Sequence, residues 1–142
     1  MNQSLWNKVV VVVGLFVGFA GIMHFAGPEF FNDIVPPWLP PSQSFWTYVS
    51  GVAEIVIAVL ILRPATRRLG ALAAVWLFIA VYPANIYMAW DWRNEGASQQ
   101  LVSYGRLPFQ FLFIWVALRI ARANPDTTAP QAPGDISLKG SS

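Results

Sequence analysis

The sequence predicts an all-α integral membrane protein with four transmembrane helices, and two observations lead to that prediction. The first is composition: 56% of the 142 residues are hydrophobic and only 11% are charged, whereas soluble domains carry roughly 25% charged residues. The second is the presence of four long apolar segments, because a helix needs ~20 mostly apolar residues to cross a bilayer core. A water-soluble helical bundle is disfavoured, since the segments lack amphipathic stripes.

These four segments define a predicted transmembrane domain over residues 1–122. The first and third are uncharged, the second is interrupted only by Glu54, and the fourth has an arginine near each end. The predicted spans are residues 9–26, 45–62, 69–90 and 105–121. Residues 123–142 are rich in proline, threonine, serine and glycine, so they are predicted to form a disordered cytoplasmic tail.

The distribution of lysine and arginine predicts the orientation of the spans. Arg93 and Arg106 fall on one side of the membrane, and the other seven basic residues fall on the side that holds both termini. Those seven are Lys8, Arg63, Arg67, Arg68, Arg119, Arg122 and Lys139. Basic residues are enriched on the cytoplasmic side of membrane proteins, so both termini are predicted to be cytoplasmic. A cleaved signal peptide is disfavoured, because cleavage after Ala26 would place His24 where a small residue is needed.

Composition also narrows the chemistry. The chain contains no cysteine, which excludes disulfides, thiolate metal ligands and dithiol redox chemistry. The net charge of +2 does not indicate nucleic-acid binding, because the basic residues lie at the ends of the apolar segments. The lipid bilayer is the expected partner.

The connection between the first two spans is rich in proline and aromatic residues. It runs from Gly27 to Pro41 and contains five prolines, which forbid a continuous helix. It also contains six large apolar side chains that are poorly suited to water. Two interpretations are open and are not exclusive. The connection is either a segment anchored at the membrane interface by its aromatic residues, or a lid folded over the outer mouth of the bundle that encloses a pocket.

Five polar residues are predicted to meet in the outer half of the bundle. A charge at the centre of a span costs about 2.5–3.5 kcal/mol on insertion scales, and such residues usually face the bundle interior. Glu54 lies ~14 Å along its helix at 1.5 Å per residue, and the other four lie nearer the outer ends of their spans. The candidate ligand-binding residues are His24, Glu54, Asn85, Arg106 and Gln110.

The same residues also have a purely structural interpretation. Glu54 and Arg106 would form an ion pair, and Asn85 and Gln110 would join helices through hydrogen bonds worth ~0.6 kcal/mol each. Pro83 removes one backbone donor, which is expected to kink the third span beside Asn85. One histidine and one nearby carboxylate make a poor metal site. No metal is therefore expected, and no catalytic residue is assigned.

Several short motifs follow one another in order along the chain. They are His24-Phe25 followed by Pro28 and Phe30, Pro36 with Leu39-Pro40, Ser50-Gly51-x-x-Glu54, Pro64-x-Thr66-Arg67, Pro83-x-Asn85, and Arg106-x-Pro108-x-Gln110 ending at Trp115. In order and spacing they resemble the DoxX-like family of small four-helix membrane proteins, over about residues 5 to 122. The resemblance implies a four-helix bundle in the plasma membrane.

The resemblance also implies an association with redox chemistry. The family takes its name from a subunit associated with thiosulfate:quinone oxidoreductase, other members are linked to redox stress, and more distant relatives act as membrane chaperones or cargo receptors. We therefore expect a redox-associated subunit that holds a quinone or another small amphiphile in the outer pocket. There, Glu54 would accept a proton while the other four polar side chains hydrogen-bond the ligand carbonyls.

The alternative is a non-enzymatic lipid- or protein-binding membrane module. In that case the same five residues would grip a lipid head group or a helix of a membrane partner protein. Because the chain has no cysteine, an accessory or binding subunit is favoured over an independent enzyme with a thiol-based electron path. The Gly14-x-x-x-Gly18 motif also fits self-association into a homo-oligomer.

Overall fold

The protein is a bundle of long helices in the computed structural model, which describes residues 2–124. The α-helices are α1 (Gln3–Ala26), α2 (Pro28–Asn32), α3 (Gln43–Leu62), α4 (Arg67–Asp91) and α5 (Ala97–Ala123). No strand occurs in this part of the chain. All of these helices except α2 are long and apolar enough to cross a membrane, which confirms the predicted fold class. The predicted tail lies outside the described residues from position 125 onward.

The long helices extend beyond the predicted spans. Helix α1 begins at Gln3 rather than at residue 9, and α5 begins at Ala97 rather than at residue 105. The predicted spans begin and end at polar residues, because hydropathy indicates only the part of a helix that lies within the bilayer core. A helix continues until its end is capped, and at α1 the side chain of Asn2 accepts a hydrogen bond from the backbone N–H of Ser4 at 3.1 Å.

The long helices pack around the bundle in the order α1, α3, α4, α5. The backbones of α1 and α3, of α3 and α4, and of α4 and α5 are in close contact. Helices α1 and α5 approach through side chains, such as the stacked rings of Phe16 and Phe113, whose centroids are 5.1 Å apart. All four contribute to one hydrophobic core of Val10, Val17, Ile57, Ala58, Ile61, Ala71, Ala74, Val75, Ala117, Ile120 and Ala121.

The two ends of the bundle differ, and we name them by the segments that they carry. The termini end holds the start of α1, the end of α5 and the connection formed by residues 63–66. The long-loop end holds the connections formed by residues 27–42 and 92–96. The core described above lies toward the termini end, because, apart from Val17 near the middle of α1, it draws on the first half of α1 and α4 and on the last half of α3 and α5. Polar side chains are therefore accommodated toward the other end.

Glycines bring α1 and α3 so close that their backbones touch. A Cβ atom at Gly51 would lie 2.8 Å from Cβ of His24 and 3.0 Å from the carbonyl oxygen of Gly21. A Cβ atom at Gly14 would lie 2.7 Å from a leucine side chain of α3, and one at Gly18 would lie 3.2 Å from an alanine of the same helix. Small residues permit such an approach. The glycine motif of the first span therefore faces α3 of the same chain and is not an open surface for self-association.

The outward faces of the long helices carry large apolar side chains. Phe19 on α1 is 62% exposed and Trp76 on α4 is 71% exposed. The other long helices expose similar residues, among them Val56 on α3 and Phe111 on α5. Monomeric soluble proteins rarely expose contiguous apolar patches of this kind. Lipid is the solvent that suits this surface, as expected for a multi-pass membrane protein.

The connection between α1 and α3 folds back onto the long-loop end. The side-chain amide of Gln43 donates to the carbonyls of Asn32 (2.9 Å) and Val35 (2.7 Å), and Ile34 is buried. Trp38, by contrast, is 72% exposed. The inner side of the connection therefore packs as the lid interpretation requires, and Trp38 is left on its outer side.

Candidate functional site

The structure divides the five predicted site residues into two groups. His24 of α1, Glu54 of α3 and Arg106 of α5 interact with one another and are called the charged cluster here. Asn85 of α4 and Gln110 of α5 are hydrogen-bonded and are called the amide pair. Both groups lie toward the long-loop end, and all four long helices contribute to them.

The contact between His24 and Glu54 leaves a carboxylate oxygen without a donor. Nδ1 of His24 lies 2.8 Å from the carbonyl oxygen of Ala20 and 3.5 Å from Oε2 of Glu54. The shorter distance fits an Nδ1–H that donates to Ala20, so Nε2 of the neutral ring is an acceptor. Oε2 of Glu54 is fully buried and accepts no hydrogen bond from any described residue. Because an unpaired buried acceptor is costly, this oxygen is the site's clearest unused acceptor.

Arg106 faces this carboxylate from across the bundle. Its guanidinium interacts electrostatically with both Glu54 and His24, yet no nitrogen of it lies within 4.0 Å of the Glu54 carboxylate. Helices α3 and α5 occupy diagonal positions in the bundle, which accounts for the separation. The direct Glu54–Arg106 ion pair of the structural interpretation is therefore not formed. The pair instead presents an acceptor and a set of donors to the space between them.

The side-chain amides of the amide pair form hydrogen bonds within the protein. Nδ2 of Asn85 donates to Oε1 of Gln110, and Nε2 of Gln110 donates to the carbonyl oxygen of Phe78. Both side chains are buried. Gln110 therefore connects α5 to two different turns of α4, through Oε1 to Asn85 and through Nε2 to Phe78. This arrangement matches the interhelical role that the structural interpretation gives to these two residues.

Prolines lie beside the amide pair on both of its helices. Pro83 is within α4 and Pro108 is within α5, and both helices continue through them. Pro83 has no N–H to offer the carbonyl of Ile79, and the carbonyl that Gln110 contacts belongs to the preceding residue, Phe78. The glutamine therefore supports the backbone of α4 in the turn that the proline weakens.

Helix α2 forms a roof over the charged cluster. The ring of Phe31 stacks on the imidazole of His24 with centroids 3.7 Å apart. The hydroxyl of Thr47 on α3 donates to Oδ1 of Asn32 at 2.7 Å, and Thr47 is buried. These two contacts hold α2 against α1 and α3. The charged cluster is therefore covered by an aromatic side chain on the side of the long loop.

A groove of about 460 Å³ opens beside this roof. Its lining residues are Phe30, Asp33, Trp92, Glu95, Ser98, Gln99 and Val102. Phe30 adjoins Phe31 in the roof, and its ring lies edge-on to Trp92 with centroids 6.1 Å apart. Val102 precedes Arg106 by one helical turn and shares its face of α5. The groove therefore ends one helical turn from Arg106, and the charged-cluster residues themselves do not line it.

The chemistry of the charged cluster suits a small polar head group. It offers Arg106 as a donor, and Oε2 of Glu54 and Nε2 of His24 as acceptors. Among residues 2–124, no group of three or more His, Cys, Asp or Glu side chains is placed to hold a metal ion. A ligand that both donates and accepts hydrogen bonds is the natural complement.

Sequence reasoning missed the residues that cover the cluster. Phe31 and Asn32 lie in a segment whose prolines gave no helical period, and their contacts with His24 and Thr47 depend on how α2 folds back. Thr47 did carry a signal, because it shares a helical face with Glu54 two turns away. The lid interpretation anticipated a cover at this end of the bundle, but the individual contacts that hold the roof had no signature in the sequence.

Comparison with known proteins gives a family and no activity. A family model described as a domain of unknown function, DUF8561, matches residues 13–121, which is most of the described helical bundle. No curated protein and no solved structure matched the chain. The matched segment contains the charged cluster, the amide pair and the roof. The chain belongs to the DUF8561 family.

Proposed function

We propose that this protein is a redox-associated membrane subunit that binds a quinone or another small amphiphile at the charged cluster. The observation that carries the proposal is Oε2 of Glu54, which is buried, receives no hydrogen bond from residues 2–124 and faces the guanidinium of Arg106 beyond ion-pair distance. The resemblance to the DoxX-like family supports the redox association. The protein acts as a binding or accessory subunit rather than as an independent enzyme, because it has no cysteine for thiol chemistry.

The hydrogen-bonding pattern favours the reduced form of a quinone. A quinone carbonyl only accepts hydrogen bonds, whereas a hydroquinone hydroxyl both donates and accepts. Arginine is a donor only, and an ionised carboxylate is an acceptor only. A hydroxyl between the two side chains would donate to Oε2 of Glu54 and accept from Arg106. A carbonyl would satisfy Arg106 and leave an ionised Glu54 without a donor, so the preference for the hydroquinone applies to the ionised carboxylate.

The surroundings of the cluster suit a planar ring with an apolar tail. Ligand pockets are commonly lined by aromatic side chains with a few placed polar groups. Phe31 covers this cluster, and Phe30 and Trp92 line the neighbouring groove. The backbones of α1 and α5 are not in close contact along the described bundle. That side of the bundle provides a lateral path to the lipid for the tail of an amphiphile.

The proposal includes a plasma-membrane location with both termini in the cytoplasm. The distribution of basic residues supports the orientation. Cysteines introduced singly at Gln3 and Ser98 are expected to react with a membrane-impermeant reagent from opposite sides of intact cells, with only the Ser98 position labelled from outside. Labelling of both positions from outside would contradict the orientation.

Extraction of the purified protein tests the ligand directly. The protein is purified in mild detergent, extracted with organic solvent and analysed by mass spectrometry for quinones and phospholipids. We expect a quinone to co-purify near one equivalent with the wild type and to fall at least about tenfold in Arg106→Gln and Glu54→Gln, since each loses a charge-assisted hydrogen bond. Added short-chain hydroquinone is expected to raise the melting temperature of the wild type more than the matching quinone does.

Arg93→Gln is the matched control for these variants. It removes an arginine at the same end of the bundle, where Arg93 lies over the ring of Trp90 at 4.3 Å and takes no part in the cluster. The quinone content should be unchanged in this variant. Equal quinone in all variants, at the ratio found in bulk membrane lipid, would contradict the proposal.

A second candidate function is a non-enzymatic module that binds a membrane partner protein. Trp38, exposed on the outer side of the long loop, favours it, because exposed tryptophan is enriched at the centres of protein interfaces. Under this alternative, extracts contain phospholipid without quinone, and Trp38→Ala releases a co-purifying protein from wild-type membranes. The charged-cluster variants would retain that partner.

A further inference from the structure

A second cavity lies at the termini end, at the opposite end of the bundle from the charged cluster. Its volume is about 370 Å³, and it is lined by Gln3, Trp6, Arg119, Arg122 and Ala123. The first two residues belong to the start of α1 and the others to the end of α5. These are the helices whose backbones are not in close contact within the described bundle, so the cavity occupies the gap between them.

Trp6 lines this cavity and carries a buried donor. Its indole Nε1 is inaccessible to solvent and makes no hydrogen bond with any described residue. The N–H of a buried tryptophan usually finds a partner, and it can only donate. The side chain therefore requires an acceptor that the described protein does not supply.

The two arginines make the cavity cationic. The guanidinium of Arg119 lies over the ring of Trp115, with its carbon 5.7 Å from the ring centroid. Arg122 forms no ion pair or side-chain hydrogen bond with a described residue, and both arginines are exposed. Among residues 2–124, no acidic residue lines the cavity. The lining thus combines two positive charges and an amide, which together complement an anion, and Trp6 adds an unpartnered N–H donor buried beside them.

The arginines are not needed to close the end of α5. The side-chain amide of Asn124 donates to the carbonyl of Ile120 at 2.9 Å, which caps the last turn. Arg122 in that turn does complement the negative end of the helix dipole, an effect worth about 0.3–1 kcal/mol at an exposed site. That effect is the same for any exposed cation in the last turn and gives no role to Trp6 or Arg119.

We propose that this cavity binds the phosphate of an anionic phospholipid. The cavity lies at the end of two membrane-spanning helices, and Phe16 on α1 and Leu112 on α5 continue from it as exposed apolar side chains along which acyl chains can lie. The predicted orientation places this end in the cytoplasmic leaflet, where anionic lipids and basic pockets between helices occur together. The site is independent of the charged cluster and its ligand, and its assignment to the cytoplasmic leaflet rests on the orientation included in the proposed function.

Titration with defined lipids tests the proposal. The protein is purified in a neutral detergent, and its melting temperature is measured with added dioleoyl phosphatidylglycerol, dioleoyl phosphatidylcholine or inorganic phosphate. We expect a saturable rise with phosphatidylglycerol and no rise with phosphatidylcholine. A rise of equal size with inorganic phosphate would show that a free anion is the occupant and would overturn the assignment to a lipid.

Three variants locate the binding site. Arg119→Gln/Arg122→Gln is expected to weaken the apparent affinity for phosphatidylglycerol by roughly 25-fold, at about fivefold for each basic residue near the anionic group. Trp6→Phe keeps an aromatic ring and removes the donor together with part of the ring area, so a smaller but measurable loss is expected. Lys8→Gln/Arg63→Gln removes two charges from the same end without touching the cavity, and its affinity should stay within about twofold of wild type.

The outcome is decided by the comparison of the two double variants. Equal weakening in both would show a diffuse surface attraction and overturn the site, as would a wild-type affinity in Arg119→Gln/Arg122→Gln. Retention of the melting temperature without lipid in each variant shows that the loss of binding does not come from misfolding. If the cavity double variant does not fold, Trp6→Phe against the Lys8→Gln/Arg63→Gln control provides the same decision.

Discussion

The α4–α5 pair and the α1–α3 pair differ in how their polar residues contribute to packing. Between α4 and α5, Asn85 donates a hydrogen bond to Gln110, and Gln110 donates one to the backbone carbonyl of Phe78. Between α1 and α3, the close approach comes from Gly21 and Gly51, and Glu54 keeps a buried oxygen without a donor. Polar residues hold one pair together, and backbone contact holds the other.

This comparison indicates which polar residues are available to bind a ligand. A pair of helices that packs through glycines needs no hydrogen bond between side chains, because dispersion contacts of close backbones supply the association. His24 and Glu54 are therefore free to serve another purpose at little cost to packing. Gln110 cannot serve a ligand without releasing α4, so the sequence-level set of five residues resolves into a binding group and a structural group.

The largest expected effect comes from forcing α1 and α3 apart. In Gly51→Leu the added side chain would clash with His24 and Phe25. Its Cβ atom alone would lie 2.8 Å from Cβ of His24 and 2.8 Å from Cε2 of Phe25. We expect a loss of about 3 kcal/mol or more in the free energy of unfolding, at or above the upper end of usual overpacking costs. Denaturation in mixed detergent micelles measures it. The control Gly105→Leu adds the same side chain where nothing lies within 4 Å, and equal loss in both variants would contradict the glycine contact.

Removing the amide pair is expected to have the next largest effect. Gln110→Leu eliminates two interhelical hydrogen bonds and leaves the amide of Asn85 without its acceptor. The expected loss in unfolding free energy is about 1–2 kcal/mol. Gln99→Leu makes the same substitution at an exposed position of α5 and should change stability little. A neutral Gln110→Leu would mean that the α4–α5 pair does not depend on its polar residues.

A smaller effect is expected where the roof is attached to α3. Thr47→Val keeps the shape of the side chain and removes the hydroxyl that donates to Asn32 at 2.7 Å. The expected cost is about 0.5–1.5 kcal/mol, accompanied by faster proteolysis within residues 33–42 in detergent. Thr47→Ser restores the hydroxyl and should recover most of the protection. Unchanged proteolysis in Thr47→Val would show that this bond does not hold the roof.

The smallest effect on stability is expected at Glu54, and it is the sharpest contrast with Gln110. Glu54→Gln removes a buried charge whose Oε2 has no donor, so the free energy of unfolding should change by less than about 0.5 kcal/mol or rise. Ligand content should nevertheless fall. A double-mutant cycle with Arg106→Gln measures the coupling between the two residues. A loss of several kcal/mol in Glu54→Gln alone would return Glu54 to the structural group.

The sequence determined the fold class and which face of a helix is buried in the bundle. In a bilayer every backbone polar group must be paired within the protein, so long apolar segments have to be helices. A period of 3.6 residues per turn places Thr47, Gly51 and Ala58 on one face with Glu54, and the first three are buried. Depth along each helix followed from a fixed rise per residue, which is why all the polar candidates were expected in one half of the bundle.

Tertiary structure alone decided which polar groups meet. Period and depth leave open which helices are neighbours, and the order α1, α3, α4, α5 places Glu54 and Arg106 on a diagonal while it brings Asn85 and Gln110 into contact. The fold of α2 placed Phe31 over His24, a contact between segments whose pattern carries no period. A hydrogen bond or ion pair depends on distances of a few tenths of an ångström between side chains of different helices. One-dimensional spacing does not encode such distances, because they follow from how closely small residues such as Gly21 and Gly51 allow the backbones to approach.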